Sequence, residues 1–346
     1  MALPFAAPLE PMLAEAQPDI PRGPGWRYEP KWDGFRVIVF KDGDAVHLCS
    51  RNGQPLERYF PELVELCRAH LPATCIVDGE LFVAGPKGLE FETLQMRIHP
   101  AASRVNKLSG EFPASLVAFD LLALGDQDLR AKPFSERRAL LVNALPATPR
   151  VFTTPQTLDP DEAARWFNDF EGAGLDGVIA RREELPYAPG ERVMVKIKHG
   201  RTADCVVGGY RDSKTPGAVG ALLLGLYDAE GKLHHVGHTS SFTAKQKKEL
   251  KALLAPLEGG ESFGQGRTPG GPSRWSSGKD VSWTPLRPEK VCEVKFDYLQ
   301  GDRFRHGATF VRWRDDKNPK DCSYAQLLPP KPFSLDAVVA LAVKSR

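Results

Sequence analysis

The sequence predicts an α+β protein in which antiparallel sheets with flanking helices are followed by a small β-barrel. Three observations support this fold class. The chain has 346 residues, which is enough for two or three domains with their own cores. Up to about residue 199, apolar strand-like runs alternate with segments of helical periodicity. After Gly200, short strands separated by turns predominate, which is typical of a small barrel.

The first elements are two predicted turns, a helix and a strand. Residues 26–40 form two strand-like runs around Asp33-Gly34, which favours a hairpin because glycine tolerates the positive φ of the primed turns. The sequence KDGD at 41–44 indicates another turn. Leucine spacing between 58 and 70 predicts a helix, and 74–83 is expected to be a strand with a glycine break.

Helices and strands continue to the end of the first predicted domain, 1–199. Two helices are expected at 135–145 and 159–174, the first opening on Ser135 as a cap with Glu136 in its first turn, the second ended by glycines. Three further strands are predicted at 115–124, 176–181 and 193–198.

The second predicted domain, 200–346, contains the barrel strands. One helix at 243–257 interrupts them. Residues 259–280 are rich in Gly, Ser and Pro and are expected to form an exposed loop. A short helix is predicted at 334–344, at the end of this domain.

Composition excludes several classes of protein. Charged residues make up 26% and hydrophobic residues 42%, so bulk disorder is not expected. No segment has the length and apolarity of a membrane span, and the N-terminal residues lack the basic region of a leader peptide. The six cysteines lie far apart, which excludes a Cys-x-x-Cys zinc site and favours a reduced, cytoplasmic protein.

Charge is distributed unevenly along the chain. Residues 200–346 contain 23 Lys and Arg against 16 Asp and Glu, a net charge of +7, which leaves −5 for the rest. A basic second domain suggests a polyanionic partner. Ordinary scatter of surface charge explains the same counts, and charge alone does not separate the two interpretations.

Charged residues also recur within or beside apolar strands. The lysine of EPKWDGFR, Lys31, is in isolation a solvated residue near a turn. Similar stretches are SRNG at 50–53, DGE at 78–80, FDLLAL at 119–124, LDGVIAR at 175–181, KIK at 196–198 and RWRDDK at 312–317. Burying an unpaired charge costs several kcal/mol. So many charged residues within or beside the apolar strands of one chain indicate a shared polyanionic ligand that pairs with them.

These stretches carry a family resemblance. KWDGFR resembles the Lys-x-Asp-Gly-x-Arg nucleophile motif of covalent nucleotidyltransferases, which include DNA ligases, RNA ligases and mRNA-capping enzymes. The other stretches resemble the remaining motifs of that superfamily, in order. RYFPEL, MRIHPAASRV, EGAGLDGVIARR, KIKHGRTADCVVGGY and LHHVGHTSSF make the chain similar to bacterial ATP-dependent DNA ligases of the LigC/LigD type.

The resemblance implies a nucleotidyltransferase (adenylation) domain followed by an OB-fold β-barrel, joined just after Lys198. It implies an enzyme of DNA repair that uses ATP with Mg²⁺ or Mn²⁺. Lys31 would attack the α-phosphorus of ATP, the AMP would pass to the 5′-phosphate of a nick, and the 3′-hydroxyl would displace it. The expected partner is nicked duplex DNA, with repair proteins unknown. A monomer associated with the nucleoid and not with a membrane is expected.

The resemblance also implies roles for single residues. Glu29 would contact the adenine edge, Phe119 would stack on its face and Glu80 would hold the ribose hydroxyls. The remaining positions are expected at phosphate or metal: Arg36 and Arg51 at the ribose and phosphates, Lys196 and Lys198 at the α-phosphate, Asp176 at the metal ion, and Arg314, Asp316 and Lys317 at pyrophosphate. An attacking amine must be deprotonated, and we expect nearby cations such as Lys196, Lys198 and Arg36 to lower the Lys31 pKa.

Alternatives accompany these assignments. Phe119 is also compatible with simple strand core and Glu80 with a turn; Asp120 is either a turn carboxylate or a second metal contact. His234, His235 and His238 are expected at surface strand and turn positions rather than at a metal site. Arg181 and Met194 depart from the residues common in the family, Lys and Trp. An RNA ligase, a GTP-using capping enzyme, or a silent OB-fold binding protein are the competing functions.

Overall fold

The structure, a computed structural model, describes residues 3–145, 148–264, 267–269, 282–297, 299–327 and 331–344. The chain forms two compact units. The first contains Met1–Lys198 together with Pro330–Arg346, and the second contains His199–Pro329. In sequence, the second unit is therefore inserted between two parts of the first.

The first unit begins with eleven strands and five helices. In chain order they are β1 (Leu13–Ala16), β2 (Trp26–Pro30), β3 (Phe35–Asp42), β4 (Ala45–Ser50), α1 (Pro61–His70), β5 (Thr74–Gly85), β6 (Gly88–Leu89), α2 (Phe91–Met96), α3 (Ala102–Glu111), β7 (Ala114–Leu124), β8 (Gln127–Asp128), α4 (Phe134–Ala144), β9 (Val151–Thr153), α5 (Pro160–Asp169), β10 (Gly177–Arg182) and β11 (Arg192–Lys198).

These strands form two sheets. One has the order β1-β11-β10-β2, and the other has the order β4-β3-β5-β7-β8, with β6 on β5 and β9 on β7. The pairs β1/β11 and β7/β9 are parallel and the others are antiparallel. Nearly every residue of β7 is buried, because the middle of this sheet is covered on both faces. The antiparallel sheets with flanking helices confirm the predicted α+β class.

The hairpin predicted at 26–40 is wrong. β2 pairs with β10, whereas β3 pairs with β4 and β5, so the chain crosses from one sheet to the other between them. Gly34 does not have a positive φ. Glycine is required there by close approach instead, because a Cβ would lie 2.2 Å from the carbonyl oxygen of Leu81. The turn at 41–44 is confirmed, with Gly43 at φ +58° between β3 and β4.

Helix ends follow the sequence with one exception. α5 is capped by the side chain of Asp159 and continues as a 3-10 turn that ends at Gly174, whose φ is +85°. Ser135 does not cap α4, whose N-cap is Pro133 without a side-chain hydrogen bond; the Ser135 amide donates to the Glu183 carbonyl instead.

The second unit is a curled antiparallel sheet with one helix. Its elements are β12 (Arg201–Asp212), β13 (Val219–Tyr227), β14 (Leu233–Thr239), α6 (Ala244–Leu254), β15 (Thr284–Pro285), β16 (Val291–Phe296), β17 (Leu299–Gln300), β18 (Arg303–Phe304) and β19 (Thr309–Trp313). The strand order is β14-β13-β12-β16-β19. A parallel bridge between Thr239, the last residue of β14, and Ala308, the residue before β19, joins the two edges of the sheet, as expected of the predicted barrel.

One prediction for the end of the chain needs correction. The last helix, α7 (Leu335–Lys344), belongs to the first unit and not to the barrel domain. Its apolar residues Leu335 and Val338 are buried in a cluster with Trp32 and Phe170, so packing and not sequence proximity decides its place.

The predicted exposed loop 259–280 falls mostly on 265–266 and 270–280, which lie outside the described residues. Within the described part, Phe263 is fully buried in the barrel core, so exposure does not extend to 263. No helix of the described residues is long and apolar enough to cross a membrane.

Candidate active site

A pocket in the first unit is lined by residues of both sheets. It contains seven of the residues predicted to bind the nucleotide: Glu29, Lys31, Arg36, Arg51, Glu80, Phe119 and Lys196. Among the described residues, six cationic side chains line it against two acidic ones, Glu29 and Glu80. This excess of positive charge suits a polyphosphate ligand.

Lys31 is held in place by its backbone and by its neighbour. It directly follows β2, and its amide donates to the Gly177 carbonyl at 2.9 Å, while its own carbonyl accepts from the Asp176 amide at 3.0 Å. The buried indole of Trp32 donates to the Thr154 hydroxyl at 2.9 Å. The position of Lys31 is therefore fixed to the strand that follows Asp176.

Asp176 accepts contacts from two lysines. Its Oδ2 lies 2.9 Å from the Nζ of Lys31 and 2.6 Å from the Nζ of Lys198. Burial lowers the Lys31 pKa, but the Asp176 charge and hydrogen bond outweigh burial and raise it overall. The expectation that neighbouring cations lower the Lys31 pKa is thus not met in this state. The pKa of Asp176 is lowered because both lysines oppose the effect of its burial.

Lys196 is the lysine whose pKa is lowered. Burial is the main cause, followed by the charges of Lys198, Lys31, Arg192 and Arg51. No carboxylate contact to Lys196 occurs within the described part of the chain. Lys196 and Lys198 are two residues apart on β11 and therefore lie on the same face of the sheet.

Glu29 is buried and both of its carboxylate oxygens have partners. Oε1 lies 2.7 Å from Nη2 of Arg181, and Oε2 accepts from the Gln156 amide at 2.8 Å. Arg181 also lies 3.3 Å from Asp120, and Arg137 binds Asp120 through two nitrogens at 2.8 and 2.9 Å. Asp120 therefore lies within strand β7 and not in a turn, and its carboxylate is already paired with two arginines.

Arg36 is fixed by a carboxylate on the neighbouring strand. Its Nε and Nη2 donate to the two oxygens of Asp78 at 2.5 and 2.7 Å. Asp78 is fully buried and also accepts from the Tyr187 hydroxyl at 2.7 Å, which in turn accepts from the Met12 amide. The pKa of Tyr187 is raised well above its usual value, mainly by burial and then by the Asp78 charge.

Glu80 lies on β5, next to Arg36 on β3, and Phe119 lies on β7, on the other side of β5. The Phe119 ring is only 5% exposed, lines the pocket and has the Arg36 guanidinium 4.9 Å from its centroid. Phe119 is thus both part of the core and part of the pocket wall. Glu80 is a strand residue opposite Arg36, not a turn residue. Burial raises its pKa to about 7 although Arg36 and Lys31 lower it.

The three C-terminal motif residues lie in the second unit around Asp204. Arg314 contacts both oxygens of Asp204 at 2.8 and 3.0 Å through Nη1, and Asp316 at 2.9 Å through Nε and Nη2. Lys317 lies 3.8 Å from Asp204. Arg314 lowers the pKa of Asp316 to about 2. Sequence reasoning assigned no role to Asp204, although it lies on β12 within the resembling stretch KIKHGRTADCVVGGY.

The histidines of β14 lie in different surroundings. His234 contacts Asp228 at 2.8 Å. His235 is buried rather than at the surface, and burial lowers its pKa to about 3. No group of three His, Cys, Asp or Glu side chains placed to hold a metal ion occurs in the described ranges.

Sequence reasoning missed several residues that line the pocket or hold its side chains in place. Asp78 was within the DGE stretch, so its charge on a buried strand was a usable signal. Tyr187, Gln156 and Arg192 lie outside the motifs and gave none. Met194, which departs from the family pattern, lines the pocket beside Lys196 and is almost fully buried.

Comparisons with known proteins agree with this arrangement. A family model described as "ATP dependent DNA ligase domain" matches residues 11–198, and one described as "ATP dependent DNA ligase C terminal region" matches residues 215–317. DNA ligase C of Mycobacterium tuberculosis (strain ATCC 25618 / H37Rv) is 52% identical over 359 residues, covering 98% of this chain and 99% of the relative. DNA ligase C1 of Mycolicibacterium smegmatis (strain ATCC 700084 / mc(2)155) is 49% identical over 345 residues, covering 97% and 98%.

A solved structure supports the fold. The structure described as "DNA binding with a minimal scaffold: Structure-function analysis of Lig E DNA ligases" has a TM-score of 0.55 at 18% identity, covering 88% of this chain and 99% of that one. The similarity to LigC-type ligases predicted from the sequence is confirmed. The names of these relatives do not favour the RNA-ligase or capping-enzyme alternative.

Proposed function

The chain belongs to the ATP-dependent DNA ligases, and on this basis we propose that it seals nicks between a 5′-phosphate and a 3′-hydroxyl of duplex DNA through an AMP adduct on Lys31. The observation that carries the proposal is the placement of the Lys31 amine, 2.9 Å from Asp176, in a pocket with six cationic side chains.

The proposed reaction has three steps. The Lys31 amine loses a proton and attacks the α-phosphorus of ATP, forming an N–P bond while the bond to pyrophosphate breaks. The 5′-phosphate oxygen of the nick then attacks that phosphorus, and the lysine leaves with a proton. Finally, the 3′-hydroxyl attacks the DNA phosphorus, loses its proton and expels AMP.

Deprotonation of Lys31 requires release from Asp176. The raised Lys31 pKa shows that the carboxylate stabilises the ammonium form. Lys198 lies 2.6 Å from the same oxygen and can retain Asp176 when the Lys31 amine turns toward phosphorus. Lys196 and Arg36 would then oppose reprotonation by their charge and stabilise the phosphate oxygens.

Asp176 is also the proposed ligand for Mg²⁺ or Mn²⁺. A carboxylate oxygen is a suitable donor, but the described residues offer no cluster of three potential protein ligands. The site therefore fits an ion held by Asp176 together with ATP phosphate oxygens and water, which is usual for Mg²⁺. When bound, such an ion supplies positive charge to the phosphates and offsets the carboxylate charge that raises the Lys31 pKa.

The other pocket residues are proposed to bind AMP. Phe119 offers a ring face for stacking on adenine, and the Glu29 carboxylate is a hydrogen-bond acceptor for the adenine edge. Glu80 has no hydrogen-bond partner among the described residues, which leaves both oxygens for the ribose hydroxyls. Lys196 and Lys198 would contact the α-phosphate, and Arg36 and Arg51 the ribose and phosphate region.

Arg314, Asp316 and Lys317 are proposed to orient the pyrophosphate leaving group. The Asp204 and Asp316 contacts of Arg314 hold the guanidinium in a defined orientation, and phosphate oxygens would replace some of them. This role would belong to the first step, since no pyrophosphate leaves later.

The proposal is tested by mapping the AMP adduct. Protein incubated with ATP is denatured, and its intact mass and AMP-bearing peptide are determined by mass spectrometry. We expect an adduct on Lys31 that is absent from Lys31→Ala. Lys198→Ala is the matched control, because Lys198 shares Asp176; it should still carry AMP on Lys31, formed more slowly. A stable adduct in folded Lys31→Ala would refute the assignment.

The substrate and its partners are tested separately. Sealing of an all-DNA nick, compared with nicks that carry RNA on either side, defines the polynucleotide specificity. We propose that the enzyme acts as a monomer in the nucleoid. We also propose that it works together with DNA-repair proteins. Mass measurement in solution, with and without nicked DNA, tests the monomer.

A further inference from the structure

Arg181 lies within a buried row of alternating charges, between Asp120 and Glu29. Arg137 and Asp120 are fully buried, and Arg181 and Glu29 are each only 2% exposed. Along this row, Arg137 binds Asp120 through two nitrogens, Asp120 lies 3.3 Å from Arg181, and Arg181 lies 2.7 Å from Glu29. The row begins on α4 and ends at the pocket wall.

Strand pairing explains how Arg181 reaches Glu29. On β10, Ile179 and Arg181 point to one face, and Ile179 is the direct partner of Glu29 on β2. Arg181 is therefore the diagonal neighbour of Glu29, within reach of a long side chain. The rings of Phe134 and Phe119 lie 4.9 and 5.8 Å from its guanidinium and confine it.

These contacts leave Arg181 poorly suited to bind phosphate. Both terminal nitrogens have carboxylate partners, and a swing toward a phosphate would leave buried Glu29 with only the Gln156 amide as a partner. Uncompensated buried charge is strongly unfavourable. Arg51, Arg192 and Lys196 line the same pocket without a carboxylate contact among the described residues and are better placed to take phosphate charge.

We propose that Arg181 is a positioning residue that sets base selectivity by fixing the Glu29 carboxylate. This inference rests on the proposed function, in which Glu29 contacts adenine. Arg181 holds Oε1 and Gln156 holds Oε2, so the carboxylate plane is fixed and its remaining lone pairs point in defined directions. The 6-amino group of adenine is the donor that such an acceptor would select.

The test compares ATP with purine riboside 5′-triphosphate, which lacks only the 6-amino group. Single-turnover formation of the enzyme–nucleotide adduct is followed by intact mass over a range of nucleotide concentrations. The ATP preference is the ratio of the two efficiencies. For the unmodified protein we expect roughly 10- to 100-fold, since a hydrogen bond to a charged group is lost with the analogue.

Arg181→Met and Arg181→Lys should lose most of this preference, because the rate with ATP should fall by a much larger factor than the rate with the analogue. Lysine keeps the charge, but one ammonium cannot hold two carboxylates in a fixed plane. Lys196→Ala is the control; it should slow both nucleotides by a similar factor and keep the preference. If Arg181→Met does not fold, Arg181→Lys gives the same readout.

Three results would overturn the inference. Arg181 variants that slow both nucleotides equally and keep the ATP preference would identify a phosphate ligand. An Arg181→Lys variant with unchanged rates and preference would show that contact with both carboxylates is not what sets the preference. Equal efficiencies for both nucleotides in the unmodified protein would show that Glu29 does not select the 6-amino group. Failure of the proposed function is distinguishable, because the unmodified protein would then form no adduct with either nucleotide.

Discussion

Replacing Gly34 by alanine tests how closely the segment that carries Lys31 must approach β5. A Cβ at position 34 would lie 2.2 Å from the Leu81 carbonyl oxygen and 2.9 Å from Cγ of Glu80. Leu81 cannot withdraw easily, because β5 is paired with β3 on one side and β7 on the other. The segment itself must therefore move by about 1 Å to restore ordinary van der Waals contact.

This displacement is expected to lower both the stability of the protein and the rate of adenylation. Overpacking of this kind costs about 1–3 kcal/mol of unfolding free energy. In a unit of this size, each kcal/mol lowers the Tm by about 2–4 °C. A shift of about 1 Å at a nucleophile is also expected to slow adenylation by roughly 100-fold. The rate effect should exceed what the loss of stability explains, because the protein remains folded at the assay temperature.

The assays are thermal unfolding and single-turnover formation of the AMP adduct. Gly43→Ala is the matched control: Gly43 lies in the β3–β4 turn with φ +58°, and a Cβ added there would have no heavy atom within 4 Å. This variant should cost about 1 kcal/mol through backbone strain and leave adenylation unchanged. An adenylation rate for Gly34→Ala equal to that of Gly43→Ala would refute the reasoning.

Three further predictions concern the reaction and DNA binding. Arg314→Ala and Lys317→Ala should strongly slow adenylation by ATP but affect the sealing of a pre-adenylated nick much less, whereas Lys196→Ala should slow both reactions. If Arg314→Ala slows both single-turnover reactions equally, a role at pyrophosphate is excluded. Asp176→Asn removes the charge that raises the Lys31 pKa, so the rising limb of the adenylation pH profile should move to lower pH while the maximal rate falls; an unmoved limb would show that Asp176 does not control this amine. Residues 200–329 carry a net charge of +5, because the three basic and one acidic residues of 331–346 belong to the first unit. Binding of the protein to nicked duplex should therefore weaken with salt, and each neutralised phosphate should add about −0.9 to the slope of log binding constant against log salt concentration. Binding that does not change with salt would count against DNA binding by this basic unit.

The sequence by itself determined the order of most elements and most of the charged residues that line the pocket. Strand and helix periodicity is local, so β7, α4, α5 and α6 were predicted close to their observed bounds. The motif stretches predicted which residues share a ligand, and seven of those residues, Phe119 and six charged ones, line one pocket. The short helices α2 and α3 were not predicted, since neither has a long apolar repeat or a side-chain cap.

Only the tertiary structure decided which strands pair and which charges neutralise each other. Asp33-Gly34 has the local chemistry of a hairpin, yet β2 and β3 join different sheets, because partner choice depends on burial across the whole unit. Likewise, α7 follows the barrel in sequence but buries its apolar face in the first unit. Lys31 with Asp176, Arg36 with Asp78 and Arg181 with Glu29 and Asp120 are contacts between distant segments. Coulomb energy depends on distance in space and on burial, neither of which is written in the spacing of residues along a chain.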